Sequence, residues 1–160
     1  MKHTISALVE NKSGVLARIA SLFSARGFNI SSLAVGKTDD STISRMTIVL
    51  DADEKILEQV VKQLRKLIDV IKVQDLTGQN FVARELVLIK MDATPARRVE
   101  IMQIVSLFRA RVVDVSTRSL SVEVTGDEKK IAGMLEVLKE FGIKEVVRTG
   151  RIAMARGDKS

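Results

Sequence analysis

Few side chains in this sequence are of a type that performs chemistry, and those few do not converge. The chain has one histidine, His3, and no cysteine, tyrosine or tryptophan. A nucleophile with its base, or a set of metal ligands, needs several such groups aimed at one point. His3 opens an apolar stretch, and without cysteine there is no thiolate site and no disulfide framework. The carboxylates Asp39, Asp40, Asp53 and Glu54 stand at turns or helix starts, where capping accounts for them. There is no G-x-x-x-x-G-K-[ST] phosphate loop and no G-x-G-x-x-G. The residue pattern therefore points away from catalysis and toward binding.

Two segments have the chemistry of a small zwitterionic ligand. The first is Glu10-Asn11-Lys12-Ser13-Gly14-Val15-Leu16, where a strand pattern gives way to a helix pattern. A helix start presents unpaired backbone N–H groups and a partial positive charge, which suit a carboxylate. Gly14 lets a ligand approach the backbone, and the Asn11 amide both donates and accepts. The second segment is Gly27-Phe28-Asn29-Ile30, where Asn29 adds another amide and Ile30, with Val15, an apolar contact. Each residue also has a purely structural reading: Ser13 as a cap, Gly14 as a turn, Asn29 as a loop amide.

The elements that must position these segments follow from hydrophobic periodicity. Thr4–Val9 reads as a strand. Val15, Ile19, Leu22 and Phe23 form one stripe of a helix, with Asn11 or Ser13 as cap and Gly27 as stop. Strands are expected at 28–36 and 44–50, with Met46, Ile48 and Leu50 on one face. Asp53 opens a second helix whose expected stripe is Ile56, Val60, Leu64 and Leu67, and 70–76 closes the unit as a strand. After Thr77-Gly78-Gln79-Asn80, read as a linker, the order recurs: a strand at 86–91, a helix from Thr94-Pro95, paired strands at 112–115 and 120–124, a helix from Asp127 and a strand at 144–149. The expected buried stripe of the third helix is Val99, Met102 or Gln103, Leu107 and Phe108, and the end from Arg156 is expected to be loose.

Two βαββαβ units imply an α+β protein of two tandem ferredoxin-like sandwiches, divided as 1–77 and 81–160. Ser21-Leu22-Phe23 returning as Ser106-Leu107-Phe108 sets the register of the repeat. In that register Gly14, Gly27 and Asn29 meet Val99, Val112 and Asp114, so the second copy loses the candidate site while keeping core positions.

The net charge of +6 raises the question of nucleic acid. The excess is thin: residues 1–77 carry 11 basic and 9 acidic side chains, residues 78–160 carry 15 and 11. All five aromatics are Phe, in mostly apolar contexts, so the stacking platform of a single-strand or RNA binder is missing. No apolar run approaches the roughly 20 residues of a membrane span, and the start has no signal-peptide pattern. A cytoplasmic location is expected.

The first unit resembles an ACT domain, the ligand-binding module of amino-acid metabolism. The run Leu8 to Arg18, the run Leu22 to Ile30, Thr38-Asp39-Asp40 and Ser44-Arg45-Met46-Thr47 resemble the regulatory small subunits of acetolactate (acetohydroxyacid) synthase. The likeness extends, more weakly, through the second unit to Arg156-Gly157-Asp158-Lys159. It implies a non-catalytic chain that binds and activates a catalytic large subunit, itself carrying thiamine diphosphate, Mg and FAD, and that confers feedback inhibition by valine on branched-chain (valine, isoleucine) biosynthesis. It also implies a homodimer paired through its ACT domains, no cofactor of its own, and effector contacts at Asn11, Gly14, Val15, Leu16, Asn29 and Ile30. The alternative is a free-standing ACT-repeat sensor acting on another enzyme or on transcription.

Overall fold

The structure is a computed structural model that describes residues 1–158. Lys159 and Ser160, the last residues of the end expected to be loose, lie outside them. Met1–Val82 with the segment from Arg151 forms one compact unit, and Ala83–Gly150 forms the other.

The first unit runs β1 (Lys2–Glu10), α1 (Val15–Arg26), β2 (Ile30–Lys37), β3 (Ile43–Asp51), α2 (Glu54–Arg65) and β4 (Val70–Asp75). Its antiparallel sheet has the order β2-β3-β1-β4. Alternation along β1 and β3 aims Ile5, Ala7, Val9, Met46, Ile48 and Leu50 at the helices, where Val15, Ile19 and Phe23 of α1 and Leu57, Val60 and Leu64 of α2 complete the core. Each of these side chains larger than alanine contributes about 1.5–3 kcal/mol on leaving water. Gly27 ends α1 in the left-handed conformation, and the Asp53 carboxylate caps α2 by accepting from Ile56 N–H at 2.8 Å.

The second unit runs β5 (Phe81–Asp92), α3 (Pro95–Leu107), β6 (Arg111–Val115), β7 (Ser119–Gly126), α4 (Glu128–Leu138), a short 3₁₀ turn and β8 (Ile143–Arg148). Its strand order, β6-β7-β5-β8, repeats that of the first sheet. Asp127 caps α4 through Lys130 N–H at 2.9 Å. The last strand, β9 (Ile152–Ala155), belongs to the first unit.

Several expectations are corrected here. Neither Asn11 nor Ser13 caps α1; the cap position is Gly14 and has no side-chain bond. Ile56 is exposed, and α2 buries Leu57 in its place. On α3, Val99, Met102 and Leu107 are exposed, whereas Ile101 and Val105 are buried with Ile104 and Phe108 packed beside them. That helix has two overlapping apolar stripes of acceptable period, and only packing on the sheet selects one. β5 begins at Phe81, directly after the Thr77–Asn80 linker and five residues before the strand start expected at 86. The end from Arg156 is tied at its start, where Arg156 N–H donates to the Asn80 carbonyl at 2.9 Å.

The register of the repeat also differs. Ile5 and Val87, Ile19 and Ile101, Phe23 and Val105 occupy matching buried positions, each pair 82 residues apart rather than 85. Gly27 at φ 67° is matched by Arg109 at φ 54°, the one non-glycine left-handed residue among those described. Asp114 is therefore not the counterpart of Asn29; it lies inside β6 opposite Ser121. In the corrected register Asn11, Gly14 and Asn29 meet Ala93, Ala96 and Arg111, so the second unit still lacks the candidate site residues.

Candidate functional site

The loop from Asn11 to Gly14 leaves the end of β1 and is clamped by the turn between β2 and β3. Asn11 N–H donates to the Thr42 carbonyl at 2.7 Å, and Asn11 Nδ2 donates to the Ser41 carbonyl at 2.9 Å. The Asn11 amide is thus held by its donor end, and its Oδ1 is the atom left to accept from a ligand. The clamping turn is itself ordered by Asp40, whose carboxylate accepts from Thr42 N–H at 3.0 Å and Thr42 Oγ1 at 2.7 Å. The Thr42 hydroxyl, then its N–H, holds the Asp40 carboxyl below its usual pKa. The turn at Asp39-Asp40-Ser41 is legible in the sequence, but the grip of the Ser41 and Thr42 carbonyls on Asn11 has no local signal, because that contact spans 30 residues or more.

Gly14 has φ 88°, a conformation that L side chains rarely adopt, and a Cβ built there meets nothing within 4 Å. Glycine is therefore required by the backbone, and the space above the helix start is open. Within the first turn, Val15 N–H makes a long bond to the Lys12 carbonyl at 3.4 Å, and Arg18 N–H takes the Gly14 carbonyl at 3.0 Å. Leu16 and Ala17 N–H lie where a helix provides no partner of its own, which is the donor pair an anion needs. Val15 offers only backbone: its side chain is buried in the core, so the apolar ligand contact expected from it is not available. Leu16 is half exposed and can provide that contact. Nearby, Lys12 pairs with Glu10 at 2.9 Å, a hydrogen bond that raises the lysine pKa above its usual value. Arg18 pairs with Asp69, which ties α1 to the approach of β4.

Asn29 and Ile30 lie elsewhere. Ile30 pairs with Leu50, which pairs with His3, so these residues mark the end of the sheet where β1 begins. Asn11 follows Glu10, at the opposite end. The helix between the two segments has 12 residues, which makes it about 18 Å long. Within one chain the candidate residues thus form two separate half-sites, one of Asn11, Gly14, Val15 and Leu16 and one of Asn29 and Ile30. The gap is several times the length of a small amino acid.

The edge strand β2 joins these two ends. Leu33 and Val35 face the same side as Ile48 and Met46, their partners on β3, yet both are exposed. Among the described residues no group of three or more His, Cys, Asp or Glu is placed to hold a metal ion. No helix is long and apolar enough to cross a membrane.

Residues 5–72 match the family described as an AHAS small subunit-like ACT domain, and residues 84–157 match the small subunit of acetolactate synthase. The chain is 55% identical over 159 residues to a probable acetolactate synthase small subunit of Archaeoglobus fulgidus, covering 99% of both chains. It is 56% identical over 155 residues to the acetolactate synthase small subunit of Mycobacterium leprae, covering 97% of this chain and 92% of that one. Among solved structures, the acetolactate synthase small subunit of Thermotoga maritima superposes with a TM-score of 0.90 at 39% identity, covering 99% of each.

Proposed function

This chain belongs to the acetolactate synthase small-subunit family, and on that premise we propose that it activates the catalytic subunit and makes it sensitive to feedback inhibition by valine. As a small subunit it is the regulatory rather than the catalytic chain of the enzyme, and it has a catalytic subunit as partner. In the proposal thiamine diphosphate, Mg and FAD belong to that catalytic subunit, and the complex works in the cytoplasm on the branched-chain pathway.

The observation that carries the effector reading is the separation of the two half-sites along one sheet edge. An isologous pairing of two copies through β2, antiparallel about a two-fold axis near Ala34, sets the Asn29 end of one strand beside the Lys37 end of the other. The Lys37 end is the end that holds Asn11 and Gly14. Such a dimer joins the half-sites in trans, twice, and covers Leu33 and Val35 as it does so. In this reading the valine carboxylate takes the Leu16 and Ala17 N–H groups beside Gly14. Its ammonium is taken by Asn11 Oδ1 and by Asn29 of the other copy, and its isopropyl group lies against Leu16 and Ile30.

Hydrogen bonds to charged groups contribute about 1.5–3 kcal/mol each, and burying the isopropyl group about the same. After association costs this supports an affinity on the order of micromolar to millimolar. Leucine and isoleucine differ from valine by one methylene, so discrimination among the three is about 1–3 kcal/mol.

The test is complementation between two inactive variants. Gly14→Asp and Asn29→Ala should each lose the normal-affinity valine site, and the inhibition that goes with it, when pure. Refolded together, half of the dimers combine one chain of each kind, and each such dimer regains one intact site of two. Recovery of about a quarter of the normal sites by calorimetry is expected from that symmetry. No recovery at all would sink the two-chain site.

A further inference from the structure

The first unit's sheet is covered on both faces, although both of its helices lie on one. Thr4, Ser6, Thr47 and Val49 alternate with the core positions and so face away from α1 and α2, yet all four are buried. The Thr4, Val49 and Ser32 positions form one row across this second face, since Val49 pairs with Thr4 on one side and with Ser32 on the other. The C-terminal segment crosses the same row. Arg151 N–H donates to Ser32 Oγ at 2.8 Å on β2, and β9 lies against β1. Beyond it, Arg156 N–H reaches the Asn80 carbonyl, and β9 pairs with β5, whose first two residues belong to the same unit. Within β9, Ala153 is buried and its neighbours Ile152 and Met154 point outward. A residue as small as alanine lets the strand settle close to the sheet.

The anchor at Ser32 falls on the irregular part of β2. The β2–β3 register shifts between Ile30 and Ser32, so the strand bulges immediately after Asn29 and Ile30. We propose that Arg151–Ala155 is a strap built into the N-terminal unit, which closes the helix-free face of its sheet and holds the bulged start of β2. The last strand of the chain is then a working part of the unit formed by its first 82 residues. In chain order the 83–150 unit runs between Val82 and this strap. This inference rests on the geometry of the first unit and not on the effector reading, and its test uses neither valine nor the catalytic subunit.

The chain contains no cysteine, so a single introduced thiol reports on one place. Val49→Cys puts the probe beneath the strap, and Val122→Cys, fully buried in the second unit's core, is the control. In the full-length chain both thiols should react slowly with a disulfide reagent under native conditions. Ala153→Asp, which forces a carboxylate into the contact, or a chain stopped after Gly150, should speed reaction at Val49→Cys by about tenfold or more through local opening, leaving Val122→Cys slow. Ser32→Ala, which removes only the acceptor of the Arg151 N–H, should give a smaller increase in the same direction. Fast labelling of Val49→Cys in the otherwise unchanged chain overturns the proposal, as does a rate indifferent to the strap. So does joint opening of both thiols, which would make the segment a general contributor to stability and not the cover of one face.

Discussion

Replacing Gly14 with aspartate separates the backbone requirement at this position from its electrostatic one. At φ 88° a non-glycine residue is strained by about 1–2 kcal/mol, and Asp is among the residues that tolerate this region best. No steric cost adds to this, because a Cβ at Gly14 meets nothing within 4 Å. A carboxylate at a helix N-terminus recovers about 0.3–1 kcal/mol from the aligned peptide dipoles. The net change in stability is therefore about 1 kcal/mol or less, within reach of an intact fold. The effect on an anionic ligand is larger and opposite. Two negative charges about 5 Å apart repel by roughly 0.8 kcal/mol in bulk water and roughly 3 kcal/mol at a surface dielectric near 20. Valine affinity should fall by roughly four- to 150-fold, since 1.4 kcal/mol is a factor of about ten. Gly14→Ala has the strain without the charge and should lose far less. The assay is calorimetric titration of valine into each variant, with urea unfolding alongside to check the fold. Equal losses for the two variants would place the effect in the backbone, and an unchanged affinity for Gly14→Asp would remove the helix start as the carboxylate site.

Three further outcomes follow from the first unit. His3 is fully buried with both ring nitrogens unpartnered, so His3→Leu should stabilise the chain by about 1–2 kcal/mol in urea unfolding; a loss of stability would mean that the imidazole has a role its surroundings do not reveal. Arg18→Ala leaves the buried Asp69 carboxylate without its ion pair, and because the arginine is half exposed the expected cost is about 1–2 kcal/mol rather than that of a fully buried pair. Asp40 titrates below its ordinary value of 3.8, so the stability it contributes is present above that value and is lost as pH falls through the lower folded one. Amide signals of Thr42 and Asn11 should therefore stay unchanged near pH 5 and shift only below about 4, and Asp40→Asn should abolish that acid transition.

Much of this protein is written in local sequence. The change from alternating to helical period marks every element of both units except the short 3₁₀ turn and β9, and caps such as Asp53 and Asp127 and the stop at Gly27 act through neighbours three or four residues away. Such short-range signals survive in a bare sequence. The chemical character of the candidate residues was legible for the same reason: a glycine before a helix and a nearby asparagine mark an open helix start.

Five features needed the tertiary structure, each because it depends on which distant residues meet. The register of the repeat moved by three residues, nearly one helical turn, which leaves a helical stripe on much the same side and so escapes detection by periodicity. The buried face of α3 was one of two equivalent stripes, and only contact with the sheet chose between them. The clamp on Asn11 joins residues 30 apart, and the strap joins Arg151 to Ser32 across 119. The two half-sites, adjacent as motifs, stand at opposite ends of α1, because a helix of 12 residues turns a short interval of sequence into a long interval of space. The sequence by itself determined which groups have the chemical character proposed for a small amino acid site, because a residue's chemistry is local. Tertiary structure decided that one chain cannot bring those groups together, because distance is set by the fold.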